Sequence, residues 1–332
     1  MTPLQAACVA RWGDTPRLRL DEPLARHGTF GVGGPAEVWM GATAEDDLVA
    51  LLALAQDHAV PILFSGNGTN VLYADAGARG VVVRVSPEDW HIREVDGAAG
   101  TARLHAGAGV SLPKLVNDLA ALGWAGLEWG AGVPGTVGGG VVSNAGCHGQ
   151  SISDTIQSAR VLDARDPAVP TFRDLAFAEL GLGYRQSRFR QHRRVPFGAD
   201  GRPQAPPRAL VDPTEIIVSA TFLLRRDDPA AIRARAAGYR QYRKDTQPAQ
   251  ASAGSVFKNP PGDHAGRLVE AVGLKGHVIG GAAISPKHAN FIVNQGGAKA
   301  EDIIALIALA HATVLERHGI DLELEVELRG DW

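Results

Sequence analysis

Residues 128–149 read E-W-G-A-G-V-P-G-T-V-G-G-G-V-V-S-N-A-G-C-H-G. Eight of the twenty positions from Gly130 to Gly149 are glycine, against 40 in the 332 residues of the whole chain. Glycine costs backbone entropy on folding and offers in return a missing Cβ and access to positive φ. So dense a run, with Pro134 and almost no charge, reads as backbone held close against a ligand. A pyrophosphate suits it, because unobstructed N–H groups can point at phosphate oxygens. The alternative is a flexible linker, but a linker would be polar and serine-rich. This run carries Val133, Val137, Val141 and Val142 instead.

Working outward, a second loop of the same kind precedes it. Pro61-Ile62-Leu63-Phe64 has the composition of a short strand and runs into S-G-N-G-T-N, Ser65 to Asn70. Without a third glycine or a following helix it is not a Rossmann fingerprint, and without Gly-Lys-Ser/Thr it is not a Walker A loop. Paired with 130–149 it makes a two-sided grip on a dinucleotide pyrophosphate.

Composition bounds the rest. A chain of 332 residues exceeds one ordinary domain, and 45% apolar content is enough for a substantial core. With 33 basic against 36 acidic residues, no basic excess points to nucleic acid. Cys8 and Cys147 form no disulfide framework, which fits a reducing cytoplasm. The N-terminus lacks the pattern of a signal peptide, and no run reaches the ~18 apolar residues of a membrane span. The expectation is a cytoplasmic protein with no membrane association and no obligate protein partner evident.

Along the chain, residues 1–26 are weakly patterned and are expected to be a loose N-terminal extension. Residues 44–58 read as a helix with Thr43 as its N-cap and Leu48, Leu51, Leu52 and Ala55 on one face. Strands are expected over Gly80–Val85, Arg103–Gly107, Ala159–Asp163, Glu215–Leu224 and Lys287–Asn294. A helix opens at Ser111 with Leu112, Leu115, Val116, Leu119 and Leu122 inward and closes at Gly123. Ala230–Arg243 reads as a basic helix, and His264–Val272 and Glu301–His318 as two more. Residues 193–213 hold five prolines and read as a surface loop or insertion. Leu322–Arg329 alternates, with Leu322, Leu324, Val326 and Leu328 facing one way and Glu323, Glu325 and Glu327 the other. Period alone reads as a solvated strand face and cannot pick out a functional one.

Eight runs in order, over about residues 27–330, resemble the bacterial UDP-N-acetylenolpyruvoylglucosamine reductases, the MurB family of peptidoglycan precursor synthesis. They are T-F-G-V-G-G-P-A, G-N-G-T-N-V-L, G-V-P-G-T-V-G-G-G-V-V-S-N-A-G, Y-R-Q-S-R-F, A-G-S-V-F-K-N-P, K-G-H-V-I-G-G-A, K-H-A-N-F-I-V-N and L-E-L-E-V. The resemblance implies an α+β flavoprotein of the vanillyl-alcohol-oxidase (PCMH) type. Two α+β subdomains, 27–85 and 86–225 with the 193–213 loop, would grip FAD. A C-terminal α+β domain over 226–332 would bind the UDP-sugar. NADPH would be the co-substrate. Relatives in that superfamily tether FAD through a histidine in the first loop; Ser65–Asn70 has none, which implies non-covalent FAD. Family members divide into a type with an extra tyrosine-bearing loop and a type without it. The short connection from R-K-D-T-Q-P to A-G-S-V-F matches the second.

The resemblance also implies residue roles. Ser65, Gly66, Asn67, Gly68, Thr69 and Asn70 would cradle FAD together with Gly130, Gly132, Val133, Pro134, Gly135, Thr136, Gly138, Gly139, Asn144, Ala145 and Gly146. Arg185 would stabilise the enolate-like species formed on hydride addition to the enolpyruvyl methylene, with Glu325 across the reacting group. Ser255 would donate the proton. Glu325 is singled out among three glutamates by its place in L-x-x-E-V. Arg240 and Arg243 would meet the diphosphate, with Tyr184, Lys258, Asn259 and His288 as further substrate contacts. No metal is implied. Two rivals remain: a related flavin oxidase that uses oxygen, and a non-catalytic UDP-sugar or flavin binder.

Overall fold

The computed structural model describes residues 1–190 and 195–332. Two sheets and their helices build the cofactor half. In the first sheet the spatial order is Leu18–Pro23, Pro35–Ala42, Ala78–Val85, Ile62–Ser65 and Val211–Asp212. The first pair is antiparallel and the others are parallel. Parallel strands covered on both faces read as continuous apolar runs, and Val81, Val82 and Val83 are all buried. Helix Glu45–Asp57 covers this sheet with Leu48, Leu51, Leu52 and Ala55. Its N-cap is Ala44 rather than Thr43; Asp47 instead reaches back to the Thr43 N–H, 3.0 Å.

The second sheet is antiparallel throughout, in the order Thr171–Ala176, Ile156–Asp163, Glu215–Arg226, Thr101–Gly107 and Trp90–Asp96. Its two outer strands escape the sequence reading because edge strands alternate weakly when half solvated. Helix Leu112–Leu122 opens at Ser111 and ends on left-handed Gly123, as expected. Leu122 points to solvent instead of inward. One continuous core runs from the first sheet through the second, from Leu51 and Val83 to Leu104 and Phe222.

A second core lies in the C-terminal half: Phe257, Leu268, Ile292, Ile303, Ile307 and Val314, with Leu322, Leu324, Val326 and Leu328 of the final segment. Each such side chain contributes about 1.5–3 kcal/mol on burial. Of the strand expected over 287–294, only Ile292–Asn294 pairs, within a three-stranded sheet with Ala282–Ile284 and Val278–Ile279. The last strand, Glu327–Arg329, leaves this half and pairs in parallel with Val71–Tyr73 beside the first glycine loop.

Three segments depart from their sequence reading. The N-terminus is not loose. Thr2 and Gln5 form a capping box on helix Pro3–Trp12, whose Leu4 and Cys8 are buried, and Leu18–Pro23 is a full sheet strand. Helix Pro229–Thr246, expected with the C-terminal domain, buries Ile232 against Ala120 and Ala125 of the second subdomain. The 193–213 loop, whose positions 193 and 194 lie outside the described residues, is a strap. Val195 enters the C-terminal core, Phe197 stacks on His311 at 3.5 Å, and Arg208 pairs with Asp331 at 2.7 Å. Val211–Asp212 then joins the first sheet. Among the described residues no helix is long and apolar enough to cross a membrane.

Candidate active site

The two glycine loops face each other across a cavity of about 280 Å³. A Cβ on Gly66 would stand 3.2 Å from Thr136 Oγ1, and one on Gly135 3.2 Å from Thr69 Oγ1. Each loop is thus the other's wall. Gly68 has φ +61°, and a Cβ there would lie 2.1 Å from the His27 carbonyl. Among the described residues, the N–H groups of Gly66, Asn67, Gly68 and Thr69 find no acceptor. Opposite them, Thr136 caps the short helix Val137–Ser143 through the Gly139 N–H, 3.3 Å. Phe64, Val85, Leu112, Val142, Ile216 and Ile217 add an apolar wall. The amide oxygen of Gln247, also in the wall, is buried without a partner. Free amides, an apolar slot and an orphaned acceptor fit a flavin dinucleotide.

Three glycine-stretch residues lie behind this surface rather than on it. Gly130 backs onto Val116 and Leu112, and Gly132 onto the Tyr239 carbonyl of helix Pro229–Thr246. Asn144, left-handed at φ +41°, donates to the Gly183 carbonyl (2.8 Å) and accepts from the Ser153 N–H (3.0 Å). The other fourteen cofactor candidates line the cavity. These are Ser65 to Asn70, Val133, Pro134, Gly135, Thr136, Gly138, Gly139, Ala145 and Gly146.

Arg185, Ser255 and Glu325, from three distant segments, meet at the same cavity. Arg185 sits in a tight turn in which Gly183 and Gln186 exchange backbone hydrogen bonds of 3.0 and 3.1 Å. Its φ is +51°, a left-handed conformation that costs an L-residue about 1–2 kcal/mol. Asn144 and buried Ser187, whose Oγ donates to the Val142 carbonyl at 2.6 Å, pin this turn to helix Val137–Ser143. The Arg185 guanidinium donates to the Gly146 carbonyl (3.0 Å) and lies 2.7 Å from Glu325 Oε1. It therefore joins the cofactor cradle to the carboxylate.

Glu325 is held through its backbone. Asn70 Nδ2 donates to its carbonyl at 2.8 Å, and its own N–H donates to the Val256 carbonyl at 2.7 Å. The second bond sets it beside Ser255. Burial pushes its carboxyl above the usual range, while Arg185, Arg190 and Lys258 pull it back. Ser255 follows Gly254, at φ +78°, and its hydroxyl has no partner among the described residues. The turn beyond it is clamped by buried Asn290, whose side chain accepts from the Phe257 N–H (2.9 Å) and donates to the Phe257 carbonyl (2.8 Å).

Of the six substrate-contact candidates only Arg243 lines the cavity. It donates to the Gly132 carbonyl at 2.8 Å and has no carboxylate partner among the described residues; burial lowers its pKa. Tyr184 is exposed, with Arg185 stacked over its ring. Arg240 turns toward helix Leu112–Leu122 and bonds Asn117 at 3.0 Å. Lys258 pairs with Glu323 at 2.5 Å, and Asn259 accepts from the Ala265 N–H at 3.1 Å. His288 accepts from the Asn290 N–H (3.3 Å) and packs against Phe291, and burial lowers its pKa. None of these last four reaches the cavity.

Glu327 and Arg329 also line it, paired to each other at 2.6 Å, and Arg190 stands behind. None was singled out in the sequence, where the glutamates alternate without distinction and Arg190 is one more cation in a basic turn. In the fold the three glutamates separate: Glu323 faces Lys258, Glu325 faces Arg185, and Glu327 faces Arg190 and Arg329.

The chain matches two family models: "UDP-N-acetylenolpyruvoylglucosamine reductase, C-terminal domain" over 247–329 and "FAD binding domain" over 36–168. A UDP-N-acetylenolpyruvoylglucosamine reductase of Chloroflexus aggregans is 42% identical over 311 residues, 94% of this chain and 97% of that one. UDP-N-acetylenolpyruvoylglucosamine reductase 2 of Symbiobacterium thermophilum is 38% identical over 333 residues, covering 99% and 98%. The crystal structure of the Thermus caldophilus reductase superposes with a TM-score of 0.71 at 33% identity, over 94% of this chain and 99% of that one.

Proposed function

Because the chain belongs to the UDP-N-acetylenolpyruvoylglucosamine reductase family, we propose that it reduces the enolpyruvyl ether of UDP-N-acetylglucosamine to UDP-N-acetylmuramate. FAD is held non-covalently and NADPH is the co-substrate. The product feeds peptidoglycan precursor synthesis. The cytoplasm supplies NADPH and suits two free thiols, Cys8 and Cys147. One observation carries this reading. Arg185, Ser255 and Glu325, separated by up to 140 residues, converge on the cavity that the two glycine loops enclose.

FAD, when bound, supplies the hydride it has taken from NADPH. Reduction at the methylene carbon leaves negative charge on the adjoining carbon and its carboxylate. Arg185 presents a fixed guanidinium to that charge, and preorganised charge is commonly the largest catalytic term. It is held there by Gly146 and Glu325 rather than recruited. Ser255 Oγ gives its proton to the carbanionic carbon. A serine hydroxyl is a very weak acid, so it serves only against an acceptor this basic. The Ser255 hydroxyl, without a partner among the described residues, is available for that transfer. Glu325, ion-paired to Arg185, orients the guanidinium. Arg243, half-buried and with no carboxylate partner among the described residues, suits the diphosphate, where a guanidinium can bind two oxygens at once.

The test is direct. Purified protein should be yellow, bleach with NADPH in the absence of oxygen, and regain its colour when the enolpyruvyl sugar is added. Recovery only with oxygen would point to an oxidase. Failure to bleach would leave a non-catalytic binder, and a colourless protein that takes up no FAD would overturn the reading.

A further inference from the structure

Among the described residues, Arg190 makes no side-chain hydrogen bond or ion pair to either loop of the cradle, yet it is one of the most deeply buried cations, with 7% of its side chain exposed. Its guanidinium reaches three acceptors on two distant segments. Nη1 donates to the Arg185 carbonyl at 3.5 Å, Nη2 donates to the Glu325 carbonyl, and Nε lies 3.2 Å from Glu327 Oε1. Glu327 is anchored in turn on Arg329 at 2.6 Å. Two of those acceptors are the backbone carbonyls of the residues whose side chains form the central ion pair. A planar fork that spans both carbonyls fixes the separation of the two backbones. It also steadies Arg185 in its left-handed conformation, which costs an L-residue about 1–2 kcal/mol.

We propose that Arg190 is a positioning residue for the reduction of the enolpyruvyl substrate, setting the spacing of Arg185 and Glu325 across the reacting group. The inference rests on the reading under Proposed function. It goes beyond it by giving a role to a residue that meets no reactant. The charge of Arg190 has a second effect, since with Arg185 and Lys258 it opposes the upward push of burial on Glu325. Among the described residues, the other charged groups near Glu325 include its chain neighbours Glu323 and Glu327, paired to Lys258 and to Arg190 and Arg329.

Arg190→Lys keeps a cation for Glu327 but offers one nitrogen where the fork offered three. Arg190→Gln removes the charge as well. In stopped flow, re-oxidation of the NADPH-reduced enzyme by the enolpyruvyl sugar should slow about 10- to 100-fold in both, the loss that misplacement by about 1 Å produces. Bleaching by NADPH should stay within about twofold of wild type, because a positioning loss of this kind falls on the step that uses Arg185 and Glu325. FAD content serves as the fold control, and the acid limb of the second half-reaction should move to higher pH in Arg190→Gln only. A purely structural residue would instead lower FAD content and both half-reactions together. That outcome, or wild-type re-oxidation by Arg190→Gln, overturns the inference. If the wild-type enzyme itself is not re-oxidised by the sugar, the functional reading fails instead.

Discussion

Asn290→Ala isolates how the Ser255 turn is held. Asn290 is 4% exposed, and its amide closes on both backbone groups of Phe257, 2.9 Å to the N–H and 2.8 Å to the carbonyl. Phe257 is itself buried. Alanine removes both bonds and leaves a donor and an acceptor without water. Each unsatisfied buried group costs about 1–3 kcal/mol, so the change should destabilise the C-terminal half by about 2–6 kcal/mol. The Val256 N–H would still bond the Asn290 carbonyl at 2.8 Å, so that backbone link should survive while the turn loosens. Ser255 is two residues from the freed peptide, and a shift of about 1 Å in its hydroxyl is enough for a roughly 100-fold loss. FAD binding should be unaffected, because among the described residues Asn290 makes no hydrogen bond to either glycine loop. The assay pairs thermal melting of the FAD-loaded enzyme with single-turnover re-oxidation by the enolpyruvyl sugar. Asn290→Asp, which keeps the acceptor and loses the donor, should fall between. An unchanged melting temperature with full re-oxidation in Asn290→Ala would refute the reasoning, since the clamp would then hold nothing.

Other outcomes are as specific. Ser255→Ala should slow re-oxidation about 10²- to 10⁴-fold, the usual worth of general acid help, with NADPH bleaching intact; equal losses in both halves would sink the proton-donor role. Gly68→Ala places a methyl 2.1 Å from the His27 carbonyl at φ +61° and should purify with little flavin, measured by absorbance after gel filtration. Lys258→Met removes one of three cations opposing the raised pKa of Glu325. Losing a cation disfavours the carboxylate, so the acid limb of re-oxidation should move to higher pH. A downward move would contradict the assignment. Asp47 has its pKa held below the usual value: burial raises it, but bonds from Thr43, Arg17 and Trp12 more than offset this. Its contribution to stability is therefore present above its unfolded pKa and lost as pH falls through the folded one. Asp47→Asn should flatten the acid side of the melting-temperature curve.

Much of the cofactor half was legible in advance. The clustering of Gly68, Gly135 and Gly138 announced closely packed backbone, because those positions admit no Cβ or demand positive φ, and such demands are written in composition. Periodicity likewise gave helix Glu45–Asp57 and the four leucine-type positions of the last segment, all buried as alternation required. Polar positions were read less well. Arg240, Lys258, Asn259 and His288 have the right chemistry for a substrate, but a polar side chain can turn to a helix, an ion pair or a cap as readily as to a cavity. The N-terminus failed for a different reason: a ten-residue helix with two buried side chains has too little pattern to stand out, although its capping box sat in plain view at Thr2 and Gln5.

By itself the sequence marked out two glycine loops whose composition suits a pyrophosphate-type ligand, and several of the strands and helices around them. These are local properties, set by what each backbone position tolerates and by the period of its neighbours. Alternation put Glu323, Glu325 and Glu327 on one face with one residue type, and resemblance pointed to Glu325; only the tertiary structure supplied a physical difference among the three. The difference lies in which cation the fold brings opposite: Lys258, Arg185, or Arg190 with Arg329. The pairing of Glu327–Arg329 with Val71–Tyr73 fixed that choice. It joins residues some 250 positions apart, through backbone hydrogen bonds that carry no side-chain signature.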